Sequence, residues 1–147
     1  MTTAPERATL LTPAVRSFLE GADRFATIAT VNPDGSPHQT VVWFLLNDDD
    51  TLTLNSLVGR RWPSNLRRDQ RISLTVEDGL DYVVLRGSAE VTDDGGEGAQ
   101  ADIAAMARRY ETPGQAEEMI TGRFRPQHRI SFRLRPRSVT THGDFEA

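Results

Sequence analysis

The stretch FATIATVNPDGSPHQTVVWFLLNDDDTLTLNS, residues 25–56, gives the strongest indication of the fold. Residues 25–31 and 38–47 are rich in β-branched and aromatic side chains, which favour strands. The segment between them, residues 32–37, is dense in turn-forming residues. After an Asn-Asp-Asp-Asp turn, residues 51–56 alternate with a period of two. The stretch therefore predicts a meander of three strands.

The rest of the chain mixes strand and helix patterns. Three further strands are predicted at residues 71–77, 82–92 and 128–143. Helices are predicted at residues 13–20 and 64–69, from residue 99 onward, and at residues 113–121. We expect a bulge or bend at Gly87, a flexible acidic connection at residues 93–98, and the arginines of the last strand on the side opposite its apolar residues.

Six strands with turn signals between most of them are typical of an antiparallel barrel rather than a parallel α/β sheet. The length of 147 residues suits one domain. The sequence therefore predicts a single domain over residues 1–147, with an N-terminal helix and arm at residues 1–24 and a barrel with helices at residues 25–143.

Composition excludes several classes of protein. A formal net charge of −4 argues against a nucleic-acid binder, because such proteins neutralise phosphates with a basic surface. The chain has no cysteine, which excludes disulfides and thiolate zinc sites. No apolar run is long enough to span a bilayer, and the first residues do not resemble a signal peptide. We therefore expect a cytoplasmic protein that binds neither nucleic acid nor membranes.

The usual catalytic motifs are missing from the sequence. The three histidines, His38, His128 and His142, are far apart and predict no metal site. No G-x-S-x-G elbow and no P-loop occur. The glycines at residues 95–98 lack the spacing and the setting of a dinucleotide site. The sequence thus identifies no catalytic side chain and no proton donor.

The segment NSLVGRRWPSNLRRDQR, residues 55–71, concentrates positive charge between two strands. Arg60 and Arg61 stand where a strand ends and a helix begins, and free N–H groups at a helix N-terminus favour anions. Two guanidinium groups beside these N–H groups would form a phosphate cradle. The alternative is a solvated helix face, which fits Arg67 and Arg68 better.

The ordered set of these segments resembles the flavin/deazaflavin oxidoreductases with a pyridoxamine 5′-phosphate oxidase-like split β-barrel, and most closely the branch that uses coenzyme F-420. The pattern G-R-R-x-x-x-N-L-R-R-D-x-R after the third strand resembles the phosphate-binding segment of that family. The segments FATIATVNPDGSPHQTVVWF, YVVLRGSAEVTDD and RISFRLRPRSVTTHG resemble its opening hairpin, fifth strand and closing strand. The resemblance implies a six-stranded antiparallel split barrel (an FMN-binding split barrel, mainly β) with short flanking helices, which forms a homodimer with cofactor sites at the interface.

The resemblance also implies a set of cofactor-binding residues. The phosphate would lie against Asn55, Ser56, Arg60, Arg61, Trp62 and Asn65. The ring would lie along Thr40, Val41, Val42 and Trp43. Many relatives have lysine at the position of Trp62, so this tryptophan either packs on the ring or the partner subunit, or marks a site that has decayed or accepts another ligand.

Three functions follow from the resemblance. The first is hydride transfer from reduced F-420 to a small conjugated substrate, because Arg60, Arg67 and Arg68 would suit the anionic tail of this coenzyme. The second is an FMN-dependent oxidoreductase on the same fold. The third is a non-catalytic protein that binds a flavin, a deazaflavin or haem. On composition alone, Trp43 fits a core residue better than a ligand-contacting one.

Overall fold

The computed structural model describes residues 10–145. The first nine residues of the predicted N-terminal arm lie outside this range. The strands are β1 Ala26–Val31, β2 Pro37–Val42, β3 Leu45–Leu46, β4 Leu52–Leu57, β5 Arg71–Asp78, β6 Asp81–Asp94 and β7 Arg129–His142. The helices are α1 Pro13–Leu19, α2 Arg61–Arg68, α3 Glu97–Tyr110 and α4 Pro113–Met119, followed by a π-helical turn at Ile120–Phe124. No helix within residues 10–145 is long and apolar enough to cross a membrane.

All strands belong to one antiparallel sheet in the order β2-β1-β5-β6-β7-β4-β3. The two edge strands, β2 and β3, are separated in sequence by only Trp43 and Phe44. Since two residues can bridge no more than about 10 Å, the sheet has to curl until its edges approach each other. The result is the curled, barrel-like antiparallel sheet that the sequence predicts.

The structure has seven strands rather than six because the predicted strand at residues 38–47 is divided at Phe44. The backbone of Phe44 bonds to side chains of α3 instead of to a neighbouring strand. Its carbonyl accepts a hydrogen bond from Arg109 Nη1 at 2.6 Å, and its N–H donates to the hydroxyl of Tyr110 at 3.4 Å. The aromatic ring of Phe44 is fully buried in the core. This anchoring interrupts the ladder and lets the chain pass from one sheet edge to the other.

The hydrophobic residues form two clusters. The first fills the barrel and includes Ile28, Leu54 and Phe132. The second lies between α3, α4 and the π-helical turn, and includes Met106 and Phe124, with Trp43 packed against it. The helices α3 and α4 therefore cover one region of the sheet, and the cavity described below lies beside them.

Two further predictions differ from the structure in detail. Helix α2 begins at Arg61, three residues earlier than predicted, which places Pro63 in its first turn, where a missing N–H is tolerated. The segment at residues 93–98 is not a loose connection, because β6 continues to Asp94. The Asp93 carboxylate accepts hydrogen bonds from Gly96 N at 3.0 Å and Ala99 N at 2.7 Å, so it caps α3.

The predicted irregularity at Gly87 is confirmed. The register between β6 and β7 shifts between Arg86 and Gly87. A Cβ atom at Gly87 would lie 1.9 Å from the carbonyl oxygen of Arg135, so only glycine fits there without a backbone shift.

Candidate functional site

A cavity of about 810 Å³ lies where β2, the end of β4, the start of α2, α3, the π-helical turn and the start of β7 meet. This volume is in the range of small-molecule and cofactor sites. Nine of the ten predicted cofactor-binding residues line it: Thr40, Val41, Val42, Trp43, Asn55, Ser56, Arg60, Arg61 and Trp62. The fold thus brings the segments around residues 40 and 60 together.

Asn65 does not line this cavity. Its amide nitrogen donates hydrogen bonds to Thr30 Oγ1 at 3.0 Å and to Asn32 Oδ1 at 3.1 Å. The side chain is buried and ties α2 to β1. Asn65 therefore fixes the position of the helix instead of facing a ligand.

Trp62 lines the cavity but belongs mainly to the barrel core. Its side chain is 4% exposed, and its ring centroid lies 5.5 Å from that of Phe132. So little of this side chain is accessible in one chain that it has almost no surface to offer a partner subunit. Within one chain Trp62 therefore anchors the start of α2 to the core, and its packing on a cofactor ring or on a partner subunit stays a prediction.

All the charged side chains of the cavity lining are positive. Four guanidinium groups line the cavity, from Arg60, Arg61, Arg123 and Arg129, and none of the lining residues is aspartate or glutamate. Such a set of cations without carboxylates favours an anionic ligand, because guanidinium groups bind phosphate and carboxylate through paired hydrogen bonds.

Arg129 is the most informative of the four. Its side chain is 5% exposed, yet none of the ion pairs found within residues 10–145 includes it. Its Nε donates to Asn55 Oδ1 at 3.0 Å, its Nη1 donates to Gln127 Oε1 at 2.9 Å, and its guanidinium carbon lies 5.1 Å from the ring centroid of Phe124. Burial, with a smaller contribution from the charge of Arg60, lowers the pKa of Arg129 to about 10. A buried charge without a counter-ion is unfavourable, and an anion in the cavity would relieve it.

A buried hydroxyl and the start of helix α2 add to this preference for an anion. The hydroxyl of Ser56 is buried and makes no hydrogen bond within the described chain. Helix α2 begins after Arg60, which provides no side-chain cap, and has no acidic residue in its first turn. Because arginines beside a helix N-terminus are electrostatically unfavourable, this arrangement also favours an anion.

Two aromatic side chains of the cavity lining, Phe25 and Trp43, belong to a stack that continues behind the wall. The ring of Tyr110 lies between those of Phe25 and Trp43, with centroid distances of 5.2 Å to each and interplanar angles of 22° and 14°. The hydroxyl of Tyr110 donates to the carbonyl of Arg24 at 2.6 Å, which holds the ring, and burial raises its pKa. Phe25 is 45% exposed and Val41 is 65% exposed. This part of the wall suits a planar, apolar group.

Two arginines predicted to bind the tail of F-420 lie outside the cavity. Arg67 forms an ion pair with Asp94. Arg68 donates to the carbonyl of Val31 and to Asn65 Oδ1. Both guanidinium groups therefore have partners within the chain, and neither lines the cavity, so the structure does not bring them together with the other predicted site residues.

Arg123, Arg129 and His38 line the cavity but were not predicted as cofactor-binding residues from the sequence. Arg129 resembles the other arginines of the last strand, which were expected on the side of β7 opposite Ile130, Phe132 and Leu134. At the start of β7 this side is covered, because the ring of Phe124 lies over Arg129. Antiparallel pairing of the last strand with the third predicted strand could have identified Arg129. In that pairing the start of the last strand lies beside the end of the third, three residues before Arg60.

A sequence model of the pyridoxamine 5′-phosphate oxidase family matches residues 11–142 of this chain. Among solved structures, a conserved hypothetical protein from Mycobacterium tuberculosis is 23% identical, with a TM-score of 0.72 and 98% of each chain covered. An F420 reductase is 22% identical, with a TM-score of 0.65, and the match covers 85% of this chain and 94% of that one. The haem storage protein HutZ from Vibrio cholerae is 21% identical, with a TM-score of 0.68 and coverage of 88% and 93%. No curated protein sequence matches the chain. At these identities the structural matches establish the fold.

Proposed function

Because the chain belongs to the pyridoxamine 5′-phosphate oxidase family, we propose that it is an oxidoreductase that transfers a hydride from reduced coenzyme F-420 to a small conjugated substrate. The cavity between β2, α2 and β7 would hold the coenzyme. One solved structure of the same fold is an F420 reductase, which supports this choice of cofactor.

The observation that carries the proposal is the buried, unpaired guanidinium group of Arg129. It lies in a cavity with three more arginines and no carboxylate. The buried hydroxyl of Ser56, which also lacks a partner within residues 10–145, adds a donor of the kind that a phosphate oxygen accepts from. The residues present therefore fit a ligand with a phosphate at one end.

Each part of the cavity has a role in this proposal. Arg60, Arg61 and Arg129 bind the phosphate, and β2 from Thr40 to Trp43 lies along the ring. When bound, the reduced deazaflavin supplies the hydride. The chain itself binds and orients the two reactants, because hydride transfer requires close approach of two planar groups. The aromatic side chains of Phe25 and Trp43 give the wall an apolar surface for the ring.

The presence of Arg123 in the cavity lining supports F-420 over FMN in this proposal. The phosphate already has three arginines, and Arg123, on the π-helical turn, is a fourth cation in the same cavity. The glutamate tail that distinguishes F-420 from FMN carries additional carboxylates, and Arg123 is positioned among the lining residues to receive one. In this respect Arg123 replaces the helix-face arginines that the sequence suggested.

Parallel titration tests the cofactor. The purified protein is titrated with F-420 and with FMN, and binding is followed by the fluorescence of each ligand. We expect saturation by F-420 at about 10 µM or below and weaker binding of FMN. Reduced F-420 should then be oxidised faster in the presence of protein and an electron-poor conjugated acceptor than without protein. No saturation by either ligand up to about 1 mM would contradict the proposal.

A second candidate function is haem binding without catalysis. Of the three histidines, His38 alone lines the cavity, and imidazole is a common axial ligand of haem iron. The arginines would bind the two propionates. Titration with haemin tests this function: it predicts a Soret band that shifts on binding and is changed in His38→Ala. If His38→Ala binds haemin with the wild-type spectrum, this candidate fails.

We also propose that the single domain acts as a cytoplasmic homodimer, with each cavity completed at the interface. The exposed side chains of Phe25 and Val41, both in the cavity wall, are the surface that supports it. Light scattering of the purified protein should give twice the chain mass, and Val41→Asp should shift it toward the monomer.

A further inference from the structure

A continuous chain of hydrogen bonds runs from a carboxylate on α3 to the guanidinium group in the cavity. Ser131 Oγ donates to Asp102 Oδ2 at 2.7 Å. Asn55 Nδ2 donates to Ser131 Oγ at 2.9 Å and to the carbonyl of Ala99 at 2.9 Å. Arg129 Nε donates to Asn55 Oδ1 at 3.0 Å. Asp102 itself does not line the cavity.

Every bond in this chain is donated in the same direction, from Arg129 through Asn55 and Ser131 to Asp102. The two ends fix that direction, because a guanidinium group can only donate and a carboxylate only accepts. Hydrogen bonds that align in this way polarise one another and strengthen the whole chain in a low-dielectric interior. Asp102 is thus the last acceptor in the chain of hydrogen bonds that begins at Arg129.

The serine in the middle makes the chain sensitive to Asp102. Ser131 is fully buried, so its hydroxyl proton cannot turn to water. Without an acceptor at position 102, this proton is left unsatisfied or turns toward Asn55, and either outcome weakens the amide that positions Arg129. Asp102 forms no ion pair with another residue between 10 and 145. Its carboxylate instead accepts the hydrogen bond from Ser131.

We propose that Asp102 is a positioning residue for cofactor binding: through Ser131 and Asn55 it holds the guanidinium group of Arg129 in the orientation that binds the anionic group of the cofactor. This inference rests on the proposed function, because it takes the ligand of Arg129 to be the cofactor phosphate.

The experiment compares ligands with and without the phosphate. The variants are Asp102→Leu, which removes the acceptor, and Asp102→Asn, whose amide oxygen can still accept from Ser131. Glu97→Gln is the matched control, since it removes a charge from the exposed first turn of the same helix. The probes are F-420 against its phosphate-free deazaflavin chromophore, and FMN against riboflavin. Urea unfolding of each variant measures stability independently.

We expect Asp102→Leu to weaken binding of the phosphate-bearing probes by about tenfold, the scale of one charge-assisted hydrogen bond, and to change the phosphate-free probes by less than about twofold. Asp102→Asn and Glu97→Gln should stay within about threefold of wild type for all probes. The sign is diagnostic. If Asp102 acted only through its charge, removal of a carboxylate near an anion site would tighten phosphate binding in both Asp102 variants.

Equal weakening of probes with and without phosphate, or no weakening, would overturn the inference. If Asp102→Leu does not fold, Ser131→Ala breaks the same chain one step further on, and the same selective loss is expected. If wild-type protein binds none of the probes, the proposed function fails, but the chain is still testable. The Nε–H resonance of Arg129 in ¹⁵N-detected NMR should be protected from exchange in wild type and in Asp102→Asn and lose that protection in Asp102→Leu; equal protection in all three would refute it.

Discussion

The replacement of Arg129 by methionine should separate stability from binding. Methionine is unbranched and flexible, and it fills the space of the arginine stem without its charge. The side chain of Arg129 is 5% exposed and bonds to Asn55 and Gln127 but to no carboxylate within the described residues. If this group is retained to bind an anion, its removal harms binding far more than folding.

Two opposing terms set the change in stability. The lowering of the Arg129 pKa to about 10 corresponds to about 3 kcal/mol against the charged form, an upper value because the cavity admits water. The loss of Arg129 relieves this penalty but leaves Asn55 Oδ1 without its donor, which costs about 1–3 kcal/mol. We therefore expect the free energy of unfolding without ligand to change by less than about 1.5 kcal/mol. For the bound state we expect a loss of about 2–3 kcal/mol, equivalent to a roughly 30- to 150-fold weaker cofactor Kd.

The pH dependence of this prediction has a definite sign. Because the pKa of Arg129 is lower in the folded protein than in the unfolded chain, the destabilisation is fully present below about pH 10 and is relieved as the pH rises above that value. The difference between Arg129→Met and wild type should therefore be constant from about pH 6 to pH 9.

The assay is urea unfolding with and without cofactor, together with calorimetric titration. Arg135→Met is the matched control, since Arg135 is exposed on the same strand and pairs with Glu90. Arg135→Met should leave the free energy of unfolding and the cofactor Kd near their wild-type values. If Arg129→Met lowers the free energy of unfolding by more than about 4 kcal/mol and leaves the Kd unchanged, Arg129 is a structural residue and the anion site is not where we place it.

Three further predictions test single interactions. Arg61→Ala should weaken cofactor binding by about 1.5–3 kcal/mol in titration, whereas Arg67→Ala, on the same helix but outside the cavity, should not; equal effects would refute the placement. Trp62→Ala should lower the free energy of unfolding by about 3–5 kcal/mol in urea, because it empties a core position, and a loss below about 1 kcal/mol would show that the ring is not packed there. Hydrogen bonds from Arg71 lower the pKa of Asp69 to about 2, and Arg71→Gln should raise it. In the wild type, the contribution of Asp69 to stability is present above the ordinary pKa of the group and is lost as the pH falls through about 2; in the variant it should be lost at higher pH. An NMR titration of the variant that still gives about 2 would contradict this.

Periodicity and turn residues predicted an antiparallel barrel, and the family resemblance specified a split barrel. Alternation in residues 51–56 and in the last strand corresponds to β4 and β7, which pair in the antiparallel register from Leu52 with Leu134 to Leu57 with Arg129. The division of the second strand could not be predicted in this way. It depends on hydrogen bonds between the backbone of Phe44 and the side chains of Arg109 and Tyr110, more than sixty residues away, and a local pattern does not contain contacts of that range.

Cavity-lining residues that belong to one continuous segment could be predicted from the sequence. Residues that line the cavity only because another element covers them could not. The stretch from Asn55 to Trp62 lies along the end of β4 and the start of α2, so its members reach one cavity by proximity in sequence. Arg129 has the same alternation as Arg133 and Arg135, and only the π-helical turn distinguishes it, by covering the start of β7. The alternation of the strand itself does not show that the preceding π-helical turn folds back over Arg129.

The register between β4 and β7 joins these two halves of the site. Asn55 lies opposite Ser131, and Leu57 lies opposite Arg129, so the hydrogen-bonded residues and the arginine come from one pair of strands. Because side chains alternate between the faces of a sheet, a slip of one residue would turn Arg129 toward the barrel core and Ile130 toward the cavity. The bonds from Asn55 to Ser131 and from Arg129 to Asn55 exist only in the observed register, and they join polar groups that would otherwise be buried without partners. The same contacts that orient the cation for a ligand therefore also select the strand pairing that creates the cavity.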